Sequence, residues 1–405
     1  MIRAALLAAL LSCAAPAAAL FDATEMETID VSARLEPEYF QHTLAFSYPF
    51  VWDDAWSAST APAYRVNGAS LGCCELLLQQ EVRFHRELPY GMSFRFRLLQ
   101  DDDREHQYFH YLLELEKKLA GGLSASIFGE PTYHKEDSDV GFGLAYEPVP
   151  GLRASARHTF VDFNFNQRGH TTQRYETYPA TDELGLSAKP SEDLKVAAAF
   201  MFDWPTRRLV PDDNRTFSYR RTRAELSVLH APPGRWSRRL SYLYEYEHKG
   251  DLFVPVGANQ TNVTTKWTEH RLQTALEGAW GGQDRLELGH RLILRPARTD
   301  FTDTANPGIK FGRWESEPYL RWRHDLKPWL VSELAGIFSL GEDRQVRTTP
   351  AAASLYRTVA EAAMGFGLDF VFGPSGRIGI YGALDLDELA PHPWDGGNIR
   401  AMFLF

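Results

Sequence analysis

Apolar and polar residues alternate along most of this chain with a period of two. In the segment MSFRFRLL, Phe94, Phe96 and Leu98 fall on one side, and Ser93 and Arg95 fall on the other. The same alternation recurs in QYFHYLLELEKK, GLRASARHTF, RRLSYLYEYEH, DRLELGHRLILR, LYRTVAEAAMGFGLDFVF and RIGIYGALDLD. Successive side chains of a β-strand point to opposite faces, so each segment predicts a strand with one apolar face.

The connections between these segments alternate between short and long. Turns with Gly or Pro, such as LPYGM, AGGL, EPVPG and PPGRW, alternate with polar stretches such as NQRGHTTQRYETYPATD and LGEDRQVRTTPAAAS. This rhythm is typical of a membrane barrel with short periplasmic turns and long outer loops. We therefore predict an all-β fold, a transmembrane antiparallel up-and-down β-barrel of about 18 strands (16–18), over residues 39–405. Its first strand is predicted near Gln41–Pro49 and its first outer loop at residues 51–72, with the last strand closing against the first.

A soluble β-sandwich would show the same alternation, but two features favour the barrel. The polar face repeatedly carries Arg together with Glu or Asp, whereas the water-facing side of a sandwich tends to carry Lys, Thr and Ser. The apolar face also carries aromatic residues near strand ends, as expected for the girdles of a membrane barrel. These residues are Trp204, Trp280, Trp322, Phe370 and Phe372.

The N-terminal residues MIRAALLAALLSCAAPAAALFD combine Arg3, an apolar run and a small-residue exit. This pattern predicts a secretory signal peptide over residues 1–19, cleaved before Leu20 and followed by a periplasmic segment over residues 20–38. The run is too short for a membrane anchor, which needs ~20 apolar residues. Lipoprotein-type cleavage at Cys13 is the less favoured alternative, because the Ala-rich exit follows it directly.

The chain ends in NIRAMFLF, where Ile399, Ala401, Phe403 and Phe405 fall on one face. Together with the signal and the meander, this ending resembles outer-membrane β-barrel proteins of the porin-like class, without matching one family. In that class, a terminal Phe preceded by alternating apolar residues is the signal read by the barrel-assembly machinery. The resemblance implies a bacterial outer-membrane location, outer-membrane lipid and the assembly machinery as partners, and an assembly signal at these four residues.

Composition narrows the function classes. With 44% hydrophobic and 24% charged residues, the chain is neither disordered nor a helical membrane protein. The net charge is −10, and no nucleic-acid partner is predicted. Only Cys73 and Cys74 follow the signal, so the exported chain is not a disulfide scaffold.

Three motifs that could carry chemistry have simpler interpretations. GASLG, Gly68–Gly72, matches a nucleophile elbow, but a strand-like segment follows it where the elbow needs a helix. Cys73 and Cys74 lack the further ligands of a zinc site. The acidic tips DDDREH and VPDDNRT could hold Ca²⁺ but are typical of solvated turns. We predict no catalytic residue, no metal and no cofactor, and therefore not an enzyme.

The charged residues on the polar face are predicted to line the lumen, because Arg or Lys on the lipid face costs ~2–4 kcal/mol at the midplane. The predicted lumen-lining residues are Arg83, Arg95, Arg97, Glu114, Glu116, Arg153, Arg157, Arg223, Glu225, Glu245, Glu287, Arg291, Arg321, Arg323, Arg357, Glu361 and Asp369. Strands near Arg95 and Arg153 lean basic and those near Glu114 and Glu245 lean acidic, which would create a transverse field across a pore. The alternative is a wall of cross-strand ion pairs.

These features predict an outer-membrane porin-like channel that passes small hydrophilic solutes through a charged aqueous lumen, which a barrel of about 16–18 strands can enclose. An inward loop would set its constriction, and residues 51–72 and 165–181 are the candidates. The alternative is a barrel conduit or sheath for an exported polymer or partner protein; an outer-membrane enzyme is less favoured. Small outward residues leave open whether a homo-oligomer contact or lipid covers them; they are Ala154, Ala156, Ala360 and Ala362.

Overall fold

The computed structural model of this chain is built almost wholly from antiparallel β-strands. It describes residues 33–36, 39–42, 63–67, 78–102, 107–130, 138–167, 172–234, 236–254, 261–301, 308–347, 354–373, 376–386 and 394–404. The predicted signal peptide, the GASLG motif, Cys73, Cys74 and Phe405 lie outside these residues. The helical turns among the described residues are all too short to cross a membrane.

The strands are numbered β1 to β21 in chain order. The first eleven are β1 Ala33–Glu36, β2 Tyr39–His42, β3 Ala63–Asn67, β4 Leu78–Leu88, β5 Met92–Asp102, β6 Gln107–Lys118, β7 Leu123–Glu130, β8 Asp139–Val149, β9 Leu152–Phe160, β10 Arg174–Thr177 and β11 Ala180–Ser191. The others are β12 Leu194–Val210, β13 Arg215–His230, β14 Ser237–Phe253, β15 Thr261–Ala279, β16 Asp284–Phe301, β17 Ile309–Lys327, β18 Leu330–Arg347, β19 Ser354–Val371, β20 Gly376–Asp385 and β21 Trp394–Leu404.

The strands from β3 to β21 form a single nineteen-stranded sheet in which neighbours along the chain are neighbours in space. At one seam β9 pairs with β11, and at the other β21 pairs with β3, so the ladder returns to its start. Eighteen strands make up this ring, because the nineteenth, β10, pairs alongside β12. The predicted antiparallel up-and-down barrel of 16–18 strands is confirmed.

The strand that closes the ring differs from the predicted one. β21 pairs with β3, with Ala401 opposite Val66 and Phe403 opposite Tyr64. The predicted first strand near Gln41 is wrong in this respect, because β2 pairs with β1 in a separate two-stranded sheet. The assignment of residues 63–67 to the first outer loop is also wrong. The sequence AYRVN has the alternation of a strand, which places Tyr64 and Val66 on one face.

The outward face of the ring is apolar. In β16, Leu288 and Leu294 are exposed, whereas Glu287, Arg291 and Ile293, which point to the opposite face, are buried. Exposed apolar side chains occupy the same face of the neighbouring strands; they include Leu113, Ile127, Phe142, Leu184, Phe200, Leu226, Leu240, Leu272, Leu320, Leu334, Phe366 and Ile380. An apolar band of this extent needs hydrocarbon around it, because soluble proteins rarely expose contiguous apolar patches beyond a few hundred Å².

Aromatic residues mark the two borders of this band. Trp280, Trp322 and Trp329 are exposed near the short turns, and Trp204 is exposed towards the long loops. The indole nitrogen of Trp204 donates a hydrogen bond to Asp182 (2.7 Å), and that of Trp322 donates to Asp284 (2.9 Å). A ring with an apolar side and a hydrogen-bonded polar edge suits a membrane–water interface.

The barrel wall is taller on one side than on the other. β12 to β19 have 16–19 residues each, whereas β7, β8 and β9 have 8, 11 and 9. A tilted strand crosses the membrane with about 9–11 residues. Because short turns lie on the periplasmic side, the extra length of the tall strands extends outward from the membrane.

Short turns close the periplasmic ends of the strands tightly. In the turn between β6 and β7, Gly122 has a φ of 78°, and a Cβ at this position would overlap the carbonyl oxygen of Glu147. Glycine is the residue that adopts this backbone conformation without steric cost. The turn therefore brings β7 directly back against β6, as the sequence AGGL predicts.

The outer segment between β9 and β11 adds to the wall. Its strand β10 pairs with the outer end of β12, with Tyr175 opposite Arg208. The Tyr175 hydroxyl donates to Asp162 (2.6 Å), its backbone N–H donates to Asn166 (2.7 Å), and its ring packs on buried Phe165. Burial and the Asp162 carboxylate raise the pKa of Tyr175 well above its ordinary value. Residues 174–177, expected in an inward constriction loop at 165–181, thus belong to the sheet.

Candidate functional site

The inner wall of the ring is the candidate site, because it carries a dense set of charged side chains. Several of these carboxylates and guanidinium groups are buried, although they lie on the face away from the apolar band; they are Glu114, Glu116, Asp203, Glu247, Glu269, Glu287, Arg291, Glu315, Glu317, Arg321, Glu333 and Asp369. Burial on this face means that the side chains lie against one another along the wall. Two clusters account for most of them.

The larger cluster crosses strands β15 to β18. Glu269 accepts from Arg271 at 2.6 Å and from Arg295 at 2.5 Å. On the neighbouring pair of strands, Arg291 bonds Glu317 through its Nε, and both side chains are almost fully buried. Arg291 lies directly opposite Glu317, and Arg295 reaches Glu269 across adjacent strands, the geometry that stabilises a sheet, whereas Arg271 bonds Glu269 along the same strand.

The same cluster continues towards β18 through a shared guanidinium group. Arg321 lies 3.3 Å from Glu287 and 3.3 Å from Glu333. Arg323 also pairs with Glu333, at 2.9 Å. Arg313 bonds Glu315 at 2.8 Å. The cluster as described combines six guanidinium groups with five carboxylates, so the wall is close to neutral here.

Aromatic side chains complete the hydrogen bonding of this cluster. The Tyr319 hydroxyl donates to Glu287 (3.1 Å) and accepts from Gln273 (3.3 Å). Its ring lies over Gly289, the residue opposite it in the ladder, where a Cβ would overlap the ring. Glycine at this position therefore lets the ring lie flat on the wall and reach both partners.

The smaller cluster lies on β5, β6 and β9. Arg95 pairs with Glu114 at 3.3 Å and with Glu116 at 2.6 Å. Arg157 reaches Glu114 at 3.1 Å, and its guanidinium carbon lies 4.3 Å from the centroid of the Phe128 ring. The prediction that basic and acidic strands face each other across a pore is therefore wrong for Arg95 and Glu114. They are direct cross-strand partners, so their charges neutralise each other within the wall.

Small residues occupy several inward positions of β8 to β12. They include Gly143, Ser155, Gly185 and Ala199, although Ser155 lies between the longer inward side chains of Arg153 and Arg157. Ser126 and Ser155 lie where a Cβ at Gly143 or Gly185 would be. The inner layer of side chains is therefore thin at these glycine positions.

The predicted lumen-lining residues fall into several groups. The structure brings together Arg95, Glu114, Glu116 and Arg157 in one cluster, and Glu287, Arg291, Arg321 and Arg323 in the other. Arg223 pairs with Glu225 on its own strand. Glu245 is half-buried opposite Glu269, Asp369 is buried, and Arg153 is exposed. The side chains of Arg83, Arg97, Arg357 and Glu361 lie outside the described part, while Ile399, Ala401 and Phe403 belong to β21.

Sequence reasoning missed several members of the larger cluster. Glu315 and Glu317 lie in β17, and Glu269 lies in β15, yet none of the three is in the predicted set. The period-2 pattern of RWESEPYLRWR contains the signal, with Arg313, Glu315 and Glu317 at alternate positions. The proline in this stretch obscures it, because proline disfavours the interior of a strand.

Comparisons with solved structures give distant likenesses to outer-membrane proteins. No family model and no curated protein matches this chain. Outer-membrane expressed OmpT of Vibrio cholerae is 10% identical, with 87% of this chain and 99% of that one covered and a TM-score of 0.40. OccK5 of Pseudomonas aeruginosa is 10% identical, covers 84% and 95%, and also scores 0.40. The translocator domain of autotransporter NalP from Neisseria meningitidis is 13% identical, covers 71% and 90%, and scores 0.30.

The ring of paired strands, its outward apolar band and its aromatic borders define this chain as a bacterial outer-membrane β-barrel protein. Such a barrel satisfies every backbone hydrogen bond between strands, which hydrocarbon demands. The predicted location in the outer membrane is confirmed.

Proposed function

We propose that this barrel is a channel that passes small hydrophilic solutes across the outer membrane. The size of the ring carries the proposal. Eighteen strands spaced ~4.8 Å apart and tilted by ~40° give a backbone ring roughly 35 Å across. Barrels of about 16–18 strands enclose an aqueous channel, whereas those of about 8 strands are filled by their own side chains.

The chemistry of the inner wall supports the same proposal. Its carboxylate and guanidinium groups pair along the wall and are compatible with water beside them. Two inward arginines, Arg153 and Arg285, are exposed on this face. Rings of charged side chains select ions and polar solutes over apolar ones.

Planar-bilayer recording tests the proposal directly. The folded, purified protein is expected to produce stepwise conductance increases in concentrated KCl, and the same protein unfolded by heat is expected to produce none. Folded protein that inserts into the bilayer but gives no steps at any salt concentration would refute the channel.

A matched pair of arginines tests whether the current passes through the ring. Arg285 in β16 and Arg238 in β14 are both exposed near the periplasmic turns, but Arg285 lies on the inward face and Arg238 on the outward face. Arg285→Glu is expected to shift the reversal potential in a KCl gradient towards cation selectivity, because it replaces a positive charge beside the path. Arg238→Glu is expected to leave the reversal potential unchanged. Equal shifts in both variants would mean that the current does not run through the ring.

A further inference from the structure

A row of basic residues crosses the outward face of five neighbouring strands. Arg220 lies opposite His248, His248 opposite Lys266, Lys266 opposite Arg298, and Arg298 opposite Lys310. We call these five residues the basic row. All five occupy outward positions, because each is an even number of residues from the exposed leucines of its own strand.

The basic row carries more positive charge than its surroundings neutralise. Like charges placed directly opposite each other destabilise a sheet. Arg298 pairs with Asp300 at 2.7 Å, and Arg220 lies over the Tyr246 ring. Lys266 and Lys310 are exposed, and within the described part of the chain neither forms an ion pair.

The outward carboxylates nearby do not neutralise the positive charge of the basic row. Asp300, one outward position beyond Arg298, is already bonded to that arginine. On β18, the outward carboxylate Glu342 is followed at the next outward position by Arg344. The row therefore presents positive charge that needs an anionic partner from outside the chain.

The position of the row points to the membrane border. Arg220 forms the lower end of the row and stacks on Tyr246. It is ten residues from the periplasmic end of β13, which is about the height of the apolar band, so this end of the row lies at the outer aromatic border. Lys310 is seventeen residues from the end of β17. Because the five residues lie directly opposite one another on strands ~4.8 Å apart and tilted by ~40°, the row climbs roughly 12 Å from the border towards the long loops.

We propose that the basic row binds the phosphate groups of a glycolipid in the outer leaflet of the membrane. A headgroup with phosphates at more than one height fits a row that begins at the aromatic border and rises away from it. The acyl chains of such a lipid would lie on the apolar band below, beside Leu294 and Trp314. Basic residues near a membrane surface attract anionic lipid, with about a fivefold gain in affinity for each Lys or Arg.

Binding of fluorescent lipopolysaccharide to the folded barrel in neutral detergent tests the proposal. The outward triple variant Lys266→Gln, Arg298→Gln, Lys310→Gln is expected to bind about a hundredfold more weakly than the parent. Its matched control removes three exposed basic residues from the inward face, Arg153, Lys249 and Arg285, by the same change to Gln. The control has the same net charge and is expected to bind like the parent.

Two further binding measurements make the outcome decisive. Lipopolysaccharide with its phosphates removed is expected to lose most of its affinity for the parent protein. Inorganic phosphate is expected to compete only weakly, since it has no acyl chains. Equal binding of the phosphorylated and dephosphorylated lipid, equal losses in the two triple variants, or competition by phosphate as strong as by the lipid would each overturn the proposal.

Folding of the outward variant is checked independently. Because the substitution removes like charges that face each other, the variant is expected to unfold at no lower urea concentration than the parent in phosphate-free lipid. A marked loss of stability there would contradict the repulsion on which the argument depends.

Discussion

The buried pair Arg291–Glu317 is the most sensitive point of the inner wall. The two side chains are 4% and 3% exposed, and they bond each other between β16 and β17. Replacing Glu317 by Gln keeps the shape but leaves the Arg291 guanidinium buried without its counter-charge. Loss of one partner of a buried ion pair typically costs ~3–5 kcal/mol. Glu315 lies two residues away on the same face, and its repulsion from Glu317 is relieved by the change, so we expect a loss near ~3 kcal/mol.

Urea unfolding in lipid vesicles, followed by tryptophan fluorescence, measures this loss. The control is Asp300→Asn, the same carboxylate-to-amide change in an ion pair whose side chains are 58% and 39% exposed. Exposed pairs contribute about 0–1 kcal/mol, so the control is expected to stay close to the parent. If Glu317→Gln loses no more stability than Asp300→Asn, the inner-wall pairs are not buried as described. Exchanging both members for apolar residues, Arg291→Met with Glu317→Leu, is expected to recover most of the loss.

Two further predictions concern the packing and the assembly of the barrel. Gly289→Ala is expected to displace the Tyr319 ring and to cost ~1–3 kcal/mol in the same unfolding assay, because the new Cβ would overlap the ring. The control is Gly336→Ala, since the space around a Cβ at Gly336 is open. Equal losses of stability in the two variants would contradict the explanation. Deletion of Phe405 is expected to leave secretion intact but to block insertion into the outer membrane, whereas Leu404→Ala should insert normally; normal insertion of the deletion variant would remove the main support for the assembly signal.

Much of the fold can be predicted from the local sequence pattern. Alternate residues of a barrel strand face lipid and the interior, so the sequence alternates between apolar and polar residues. Leu288 and Leu294 face lipid while Glu287 and Arg291 face inward, and this contrast is visible in the sequence of β16 alone. The pairing of strands that closes the ring cannot be predicted from such a local pattern. β3 has only five residues, and its pairing with β21 depends on chain segments more than three hundred residues apart.

The candidate site was less predictable for a related reason. Alternation assigns Arg95 and Glu114 to the inward face, but it does not show which inward residues meet. The ladder places Arg95 directly opposite Glu114, and that register turns an expected field across a pore into a bond along the wall. Register depends on turn geometry and on the match of whole strands. Residue type alone could not reveal the pairing.

For the proposed channel, this pairing also indicates which residues would be able to select solutes. A guanidinium such as Arg321, held between Glu287 and Glu333, has little net field to offer a passing molecule, because its charge is balanced within about one side-chain length. Its role is to tie three strands together. In the proposed channel, selectivity would then depend on inward charges that keep solvent contact, and Arg285 is exposed on this face with no ion pair among the described residues. A barrel built in this way keeps its rigid wall when such an exposed charge changes, so Arg285→Glu should alter ion preference without loss of stability.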